Sequence, residues 1–205
     1  KIKPDIIHLH NLHGWYINLP MLFNYIKKNK IKTIWTLHDC WSFTGHCAYY
    51  DLANCQKWLE HCQKCPQIHE YPKSFVDNSF INYEKKRSLF NSLSKLTIVP
   101  VSNWLGGETS KSFLKFNNIN VIHNGIDLNN FSPHKEESKI KVKFGLERKF
   151  ILLGVANPWS ERKGLKYFIK LAKLLSDEKQ IILIGLSKEQ IKNLPSNIIG
   201  LERTE

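Results

Sequence analysis

Apolar residues fall along this chain in short blocks, separated by stretches with helical spacing. Pro4-Asp5 precedes a mostly apolar run at residues 6–10, which reads as a buried parallel strand. Residues 19–30 follow with Leu22, Phe23, Ile26 and Lys27 at helical spacing, the helix ending near Asn29. Residues 31–37 are rich in β-branched and aromatic side chains and read as a second strand. Strand, helix, strand implies a right-handed crossover in a parallel sheet. Residues 40–72 break the pattern and read as a long inserted loop with one short helix. A helix is predicted over 80–94, with charges at Glu84, Lys85, Lys86 and Arg87. A strand follows over 96–101, interrupted by Pro100. Ser102 stands where an N-cap belongs, ahead of a helix over 104–115. A short strand over 120–123 ends in a turn at Asn124-Gly125.

The alternation then restarts. Residues 150–155 form a strand, and 165–176 an amphipathic helix with Leu165, Phe168, Ile169, Ala172 and Leu175 on one face. Strands at 181–184 and 197–201 follow, with a short helix at 190–193 between them. The expected organisation is α/β. Residues 1–130 belong to a first Rossmann-like domain with a Cys-rich insertion at 40–72. An interdomain linker covers 131–149, and a second Rossmann-like domain begins over 150–205. The chain opens at Lys1 without a Met and closes just after a strand, so both domains read as incomplete.

Composition narrows the class. With 42% hydrophobic residues the chain can build a sizeable core and is not expected to be disordered. Its apolar runs, 150–156 included, fall far short of the roughly 20 residues that span a bilayer. A net charge of +12 favours anionic partners, yet the cations are dispersed and no nucleic-acid-binding signature accompanies them. Nucleic acid is therefore not an expected partner. Peripheral contact with an anionic membrane is, at the inner face of the plasma membrane. Five cysteines, an odd number, and no secretory leader point to a reducing, cytoplasmic compartment.

In open parallel sheets ligands bind beyond the carboxyl ends of strands, so the residues after each strand are the candidates for chemistry. They are His10 to Gly14, His38-Asp39, Ser102-Asn103, Asn124 to Asp127, and Asn157 to Gly164. The last is the sharpest. Arg162 and Lys163 enter a helix whose free amides favour an anion, and Gly164 allows close backbone approach, a combination suited to a diphosphate. The competing reading is a solvated, charged first turn. His38 suits contact with a sugar or general-base work; an isolated histidine is otherwise a hydrogen-bonded core residue, the reading given to His8. Cys47, Cys55, Cys62 and Cys65 include one Cys-x-x-Cys pair, and four thiolates can hold a structural zinc in a loop that lacks its own core. Unpaired thiols or a redox pair are the alternatives. A catalytic zinc lacks its usual His-Glu-x-x-His motif.

In order and spacing these segments resemble the family 4 glycosyltransferases. They are Pro4 to His10, Thr36-Leu37-His38-Asp39, Val99 to Ser102, His123 to Asp127 with Phe131 and Pro133, and Glu161 to Leu165. The stretch from Trp35 through Pro66 resembles a bacterial polysaccharide-building branch. The resemblance implies a GT-B architecture and a retaining transfer from a nucleotide-sugar donor to a saccharide or lipid-linked saccharide, with no catalytic metal. It implies that Arg162 and Lys163 neutralise the departing diphosphate and that His38 contacts the donor sugar. Asn124, Gly125, Ser160, Glu161 and Gly164 are implied to be donor-side, and His13 and Gly14 acceptor-side. The family's glycine-rich loop and its Glu-x7-Glu pair are expected outside residues 1–205. Three other readings compete. A nucleotide-sugar epimerase or dehydrogenase needs a Gly-x-Gly-x-x-Gly turn that this sequence lacks. A catalytically inactive carbohydrate- or nucleotide-binding protein of the same fold is the second. The third is a zinc-stapled nucleic-acid binder, which steep salt dependence would betray.

Overall fold

The computed structural model describes residues 3–14, 16–133 and 139–203. The chain divides into two compact units, Lys1–Ile126 and Asp127–Glu205. Residues 134–138, inside the predicted linker, lie outside the described residues.

The first unit is built on four parallel strands in the order β1 (Ile6–Leu9), β2 (Lys32–Leu37), β3 (Leu96–Pro100) and β4 (Asn118–Ile119). Helix α1 (Leu19–Asn29) joins β1 to β2, as the periodicity predicts. The Asn18 side chain accepts a hydrogen bond from the Met21 amide at its start, Pro20 lies in the first turn, and Lys30 in a left-handed conformation closes it. Phe23 of α1, Trp35 of β2 and Phe90 of α2 (Ser79–Phe90) form an aromatic cluster, with ring centroids 4.7 to 6.0 Å apart. All three are essentially fully buried. Truncating such a ring costs about 3–5 kcal/mol, so this cluster anchors both helices to the sheet.

Several predicted elements move. Among the described residues β1 pairs only with β2, and its Ile6 is 53% exposed. His8, read as a core histidine, is exposed among the described residues and lies against Thr36. Ser102 does cap α3 (Asn103–Lys111), accepting from the Leu105 amide, but the helix stops at Lys111. A separate 3-10 turn, Phe113–Phe116, follows, begun by the Ser112 hydroxyl. The strand expected at 120–123 falls at Asn118–Ile119 instead. The amides of Asn120 and Ile122 still donate to the carbonyls of Ile98 and Pro100. The ladder ends there because Pro100 has no amide hydrogen with which to reciprocate. Asn124-Gly125 makes no turn; the chain turns at Asp127, whose carbonyl accepts from Asn130 and Phe131 and whose carboxylate accepts from Asn129.

The 40–72 segment contains three short 3-10 turns, Trp41–Phe43, Tyr50–Ala53 and Lys57–Leu59, in place of one helix. Long-range contacts shape it. Cys40 donates to Ala48, Ala48 donates to Tyr71, and the Tyr50 hydroxyl donates to Glu108 on α3. Trp58 is buried against Phe43 and Tyr50.

The second unit has a three-stranded parallel sheet, β5 (Phe150–Val155), β6 (Lys179–Ile184) and β7 (Ile198–Leu201), with β6 central. A short helix α4 (Lys139–Lys143) precedes it. Helix α5 (Leu165–Ala172) lays Leu165, Phe168, Ile169 and Ala172 against Ile181 and Leu183, and ends four residues earlier than predicted. Helix α6 (Lys188–Lys192) begins with a capping box between Ser187 and Gln190.

Candidate functional site

Because all four strands of the first unit run in parallel, their carboxyl ends lie on one edge of the sheet. Alternation along β1 and β2 sorts the side chains there. Leu9 and Leu37 turn into the core, while His8, His10, Thr36 and His38 share the opposite face. His8 Nε2 lies 2.8 Å from the Thr36 hydroxyl, and His10 Nδ1 lies 3.1 Å from His38 Nε2. The three imidazoles follow one another at 4.3 and 5.4 Å between centroids. His10 is held below its ordinary basicity, first by desolvation and then by the neighbouring rings of His8 and His38. The Trp35 indole, fixed in the core, donates to the His10 carbonyl at 2.8 Å and so positions this row. His38 is exposed and accessible to a ligand.

His13 is placed differently. It is buried, with Nε2 3.0 Å from an Asp39 carboxylate oxygen and Nδ1 2.9 Å from the Tyr71 hydroxyl. A carboxylate requires a donor, so Nε2 carries the proton and Nδ1 accepts from Tyr71. The other Asp39 oxygen accepts from the Trp41 amide at 2.9 Å. Both ring nitrogens of His13 are thus engaged within the protein. The residue ties the β1 loop to the insertion and walls the neighbouring cavity. Gly14 is exposed beside the Tyr16 ring, and Asn124 and Gly125 are exposed in the segment after β4.

Lys86, noted in the sequence only as one of four charges on the helix, is a functional candidate that sequence reasoning missed. It is 5% exposed and donates to the carbonyls of Trp41 (2.7 Å) and Thr44 (3.0 Å), its ammonium 3.4 Å from the centre of a Trp41 ring. Desolvation lowers its pKa to about 7. The signal was available: Lys86 lies three residues after buried Tyr83 and four before buried Phe90, on the helix's inward stripe.

In the second unit the basic pair follows β5 as predicted, although it does not open α5 directly. Glu161–Lys163 make a 3-10 turn of their own, closed by Gly164 at φ 79°. That left-handed conformation is what requires glycine here. Ser160, Glu161, Arg162 and Lys163 are all exposed. Glu161 is paired with Lys166 of α5. Behind the turn Trp159 is buried, its indole donating to the Ile184 carbonyl at 2.9 Å and its ring edge-on to Phe168. A rigid base thus supports a solvent-facing turn that carries two cations.

Cys47, Cys55, Cys62 and Cys65 line one small pocket, with Thr44, Trp58 and Ser79 beside them. All are free thiols. Cys47 donates a hydrogen bond to Cys65, which brings Cys65 down to about 7 and pushes Cys47 up; burial raises Cys62 to about 11. Gly45 makes the close approach possible. A Cβ there would stand 2.2 Å from the Ser79 carbonyl oxygen and 2.6 Å from the Cys62 Cβ. Among the described residues no three Cys, His, Asp or Glu side chains stand together in a geometry that holds a metal ion. Nor is any described helix long and apolar enough to cross a membrane.

Comparison with known proteins agrees with this architecture. The model of Glycosyltransferase Family 4 matches residues 1–130. Over 131 residues the chain is 33% identical to WcaC of Escherichia coli (strain K12), whose name assigns it to glycosyl transfer in colanic acid biosynthesis. The match covers 61% of this chain and 32% of WcaC. Two crystal structures of Anabaena Alr3699/HepE, one with UDP-glucose and one with UDP, share the fold at TM-scores of 0.57 and 0.59 and 16% identity. They cover 98% and 97% of this chain and 49% and 48% of their own. The chain therefore spans about a third of WcaC and about half of HepE. Its parallel-sheet units, its strand-end polar residues and a family match over most of its length make it a member of Glycosyltransferase Family 4.

Proposed function

We propose that the protein carrying this chain is a retaining glycosyltransferase. In this reading it moves a sugar from a nucleotide-diphosphate-sugar to a saccharide or lipid-linked saccharide, in surface polysaccharide biosynthesis. The bond from the anomeric carbon to the diphosphate breaks, and a bond to an acceptor hydroxyl oxygen forms on the same face. Negative charge grows on the departing diphosphate, and preorganised cations are the economical way to stabilise it. The observation that carries the reading is the exposed Arg162-Lys163 turn on its buried Trp159 base. The HepE complexes with UDP and UDP-glucose support the donor class. In this mechanism His38 contacts the donor sugar, with Asn124, Gly125, Ser160, Glu161 and Gly164 on the donor side. His13 and Gly14 belong to the acceptor side. No catalytic metal takes part, and the reaction runs in the cytoplasm.

The test is nucleotide release from UDP-glucose and other nucleotide-sugars by the whole protein. Arg162→Ala and Lys163→Ala should each lower kcat roughly 10²–10³-fold, the usual effect of removing one stabiliser of developing charge. Nucleotide-sugar binding without turnover, unchanged by the two variants, would establish the inactive binding protein instead. We also propose that the four thiols of the insertion, which share one pocket but do not stand in a metal-holding geometry in this structure, rearrange to hold a structural zinc, in keeping with their donor chemistry.

A further inference from the structure

A cavity of about 380 Å³ opens between α1, the insertion and the start of α2, in the size range of small-molecule sites. Its walls sort by chemistry. Leu12, Ile17 and Trp41 give it an apolar side. Lys73 and Lys85 stand exposed at its rim, and buried Lys86 lies behind Trp41. Asn78 and Asn82 add neutral donors and acceptors, and no carboxylate is among its described lining residues. His46, 8% exposed, also lines it. Its Nε2 is buried, so the ring helps to close the wall, and it also lines the cysteine pocket.

We propose that this cavity binds a phosphate-bearing saccharide, with Lys73 and Lys85 on the phosphate, Asn78 and Asn82 on sugar hydroxyls, and the Trp41 side against the ring. Calling that ligand the acceptor rests on the transferase reading; the binding chemistry does not. A phosphate of this kind comes either from a lipid diphosphate that carries the saccharide or from a free sugar phosphate. The two share the recognised groups and differ in the lipid tail.

Calorimetry on the whole protein tests this, in an Arg162→Ala/Lys163→Ala background so that the basic turn does not contribute. The probes are inorganic pyrophosphate, α-D-glucose 1-phosphate and methyl α-D-glucoside. Both phosphates should bind saturably and at least about tenfold more tightly than the neutral glucoside. Lys73→Gln with Lys85→Gln should lose that margin, whereas Lys111→Gln on α3 should keep it. Both rim lysines are exposed, so an unchanged circular dichroism spectrum is expected of the double variant. A glucosyl-diphosphate carrying a short prenyl chain, in detergent, separates the sources. Tighter binding than glucose 1-phosphate assigns the site to a lipid-linked saccharide, and equal binding to the free sugar phosphate. Absent phosphate binding, equal binding of neutral and charged sugars, or indifference to the double lysine variant overturns the proposal. None of these outcomes bears on nucleotide release, which tests the transferase reading separately.

Discussion

His10 sits between two other imidazoles, and that placement sets how it titrates. Desolvation and the facing rings of His8 and His38 lower its pKa from 6.5, so the ring is neutral at pH 7. The unfolded chain holds this proton more tightly than the folded one, so acidification through pH 6.5 removes stability. Histidine NMR titration should find the His10 midpoint below 6.5, and His8→Gln should raise it. An ordinary midpoint that ignores the His8 change would mean that the row is not packed as described. The row was legible in the sequence because His10 and His38 follow apolar strands. The environment of each ring was not: His8, read as core, pairs with Thr36 on an exposed face of the described sheet. His13 gave no sign of its buried pairing, since Asp39 and Tyr71 lie 26 and 58 residues away.

Two glycines separate local from tertiary demands on an element. Gly107 lies exposed on α3 with open space at its missing Cβ, so Gly107→Ala should stabilise the protein by about 0.5–1 kcal/mol. Gly45 meets the Ser79 backbone and Cys62, so Gly45→Ala should cost about 1–3 kcal/mol and loosen the insertion from α2. Thermal unfolding of the two variants reads both signs, and equal shifts would refute the close approach. The thiols belong to the same element. If zinc holds them, the protein should carry close to one zinc per chain after growth in zinc-supplemented medium, the Cys47–Cys65 hydrogen bond should be lost, and a chelator should lower Tm. Metal-free protein indifferent to chelator would leave the thiols as buried side chains. The strands and helices were readable because their periodicity is local. The insertion has no period: its shape comes from Trp58, Lys86 and Gly45 meeting partners distant in sequence. The β4 shift came from a single missing amide at Pro100.

At the scale of the whole molecule, charge and modularity decide behaviour. The net charge of +12 favours an anionic bilayer surface, and no described helix is built to cross one. Sedimentation with anionic liposomes should fall as salt rises from about 0.05 to 0.5 M, because screening shortens the Debye length from roughly 14 to 4 Å. Salt-insensitive or absent binding would remove the membrane from the account. The strand–helix alternation restarts at Phe150, inside the second unit, and each unit has its own apolar core. Trp159 has a practical consequence. It is the single indole in the second unit, whereas the other five tryptophans fall in the first. With its ring enclosed and its N–H bonded to Ile184, it should emit at short wavelength, and its red shift on denaturation reports the second unit alone. Subtracting the spectrum of Trp159→Phe would then follow the two units separately in one cuvette, three residues away from Arg162.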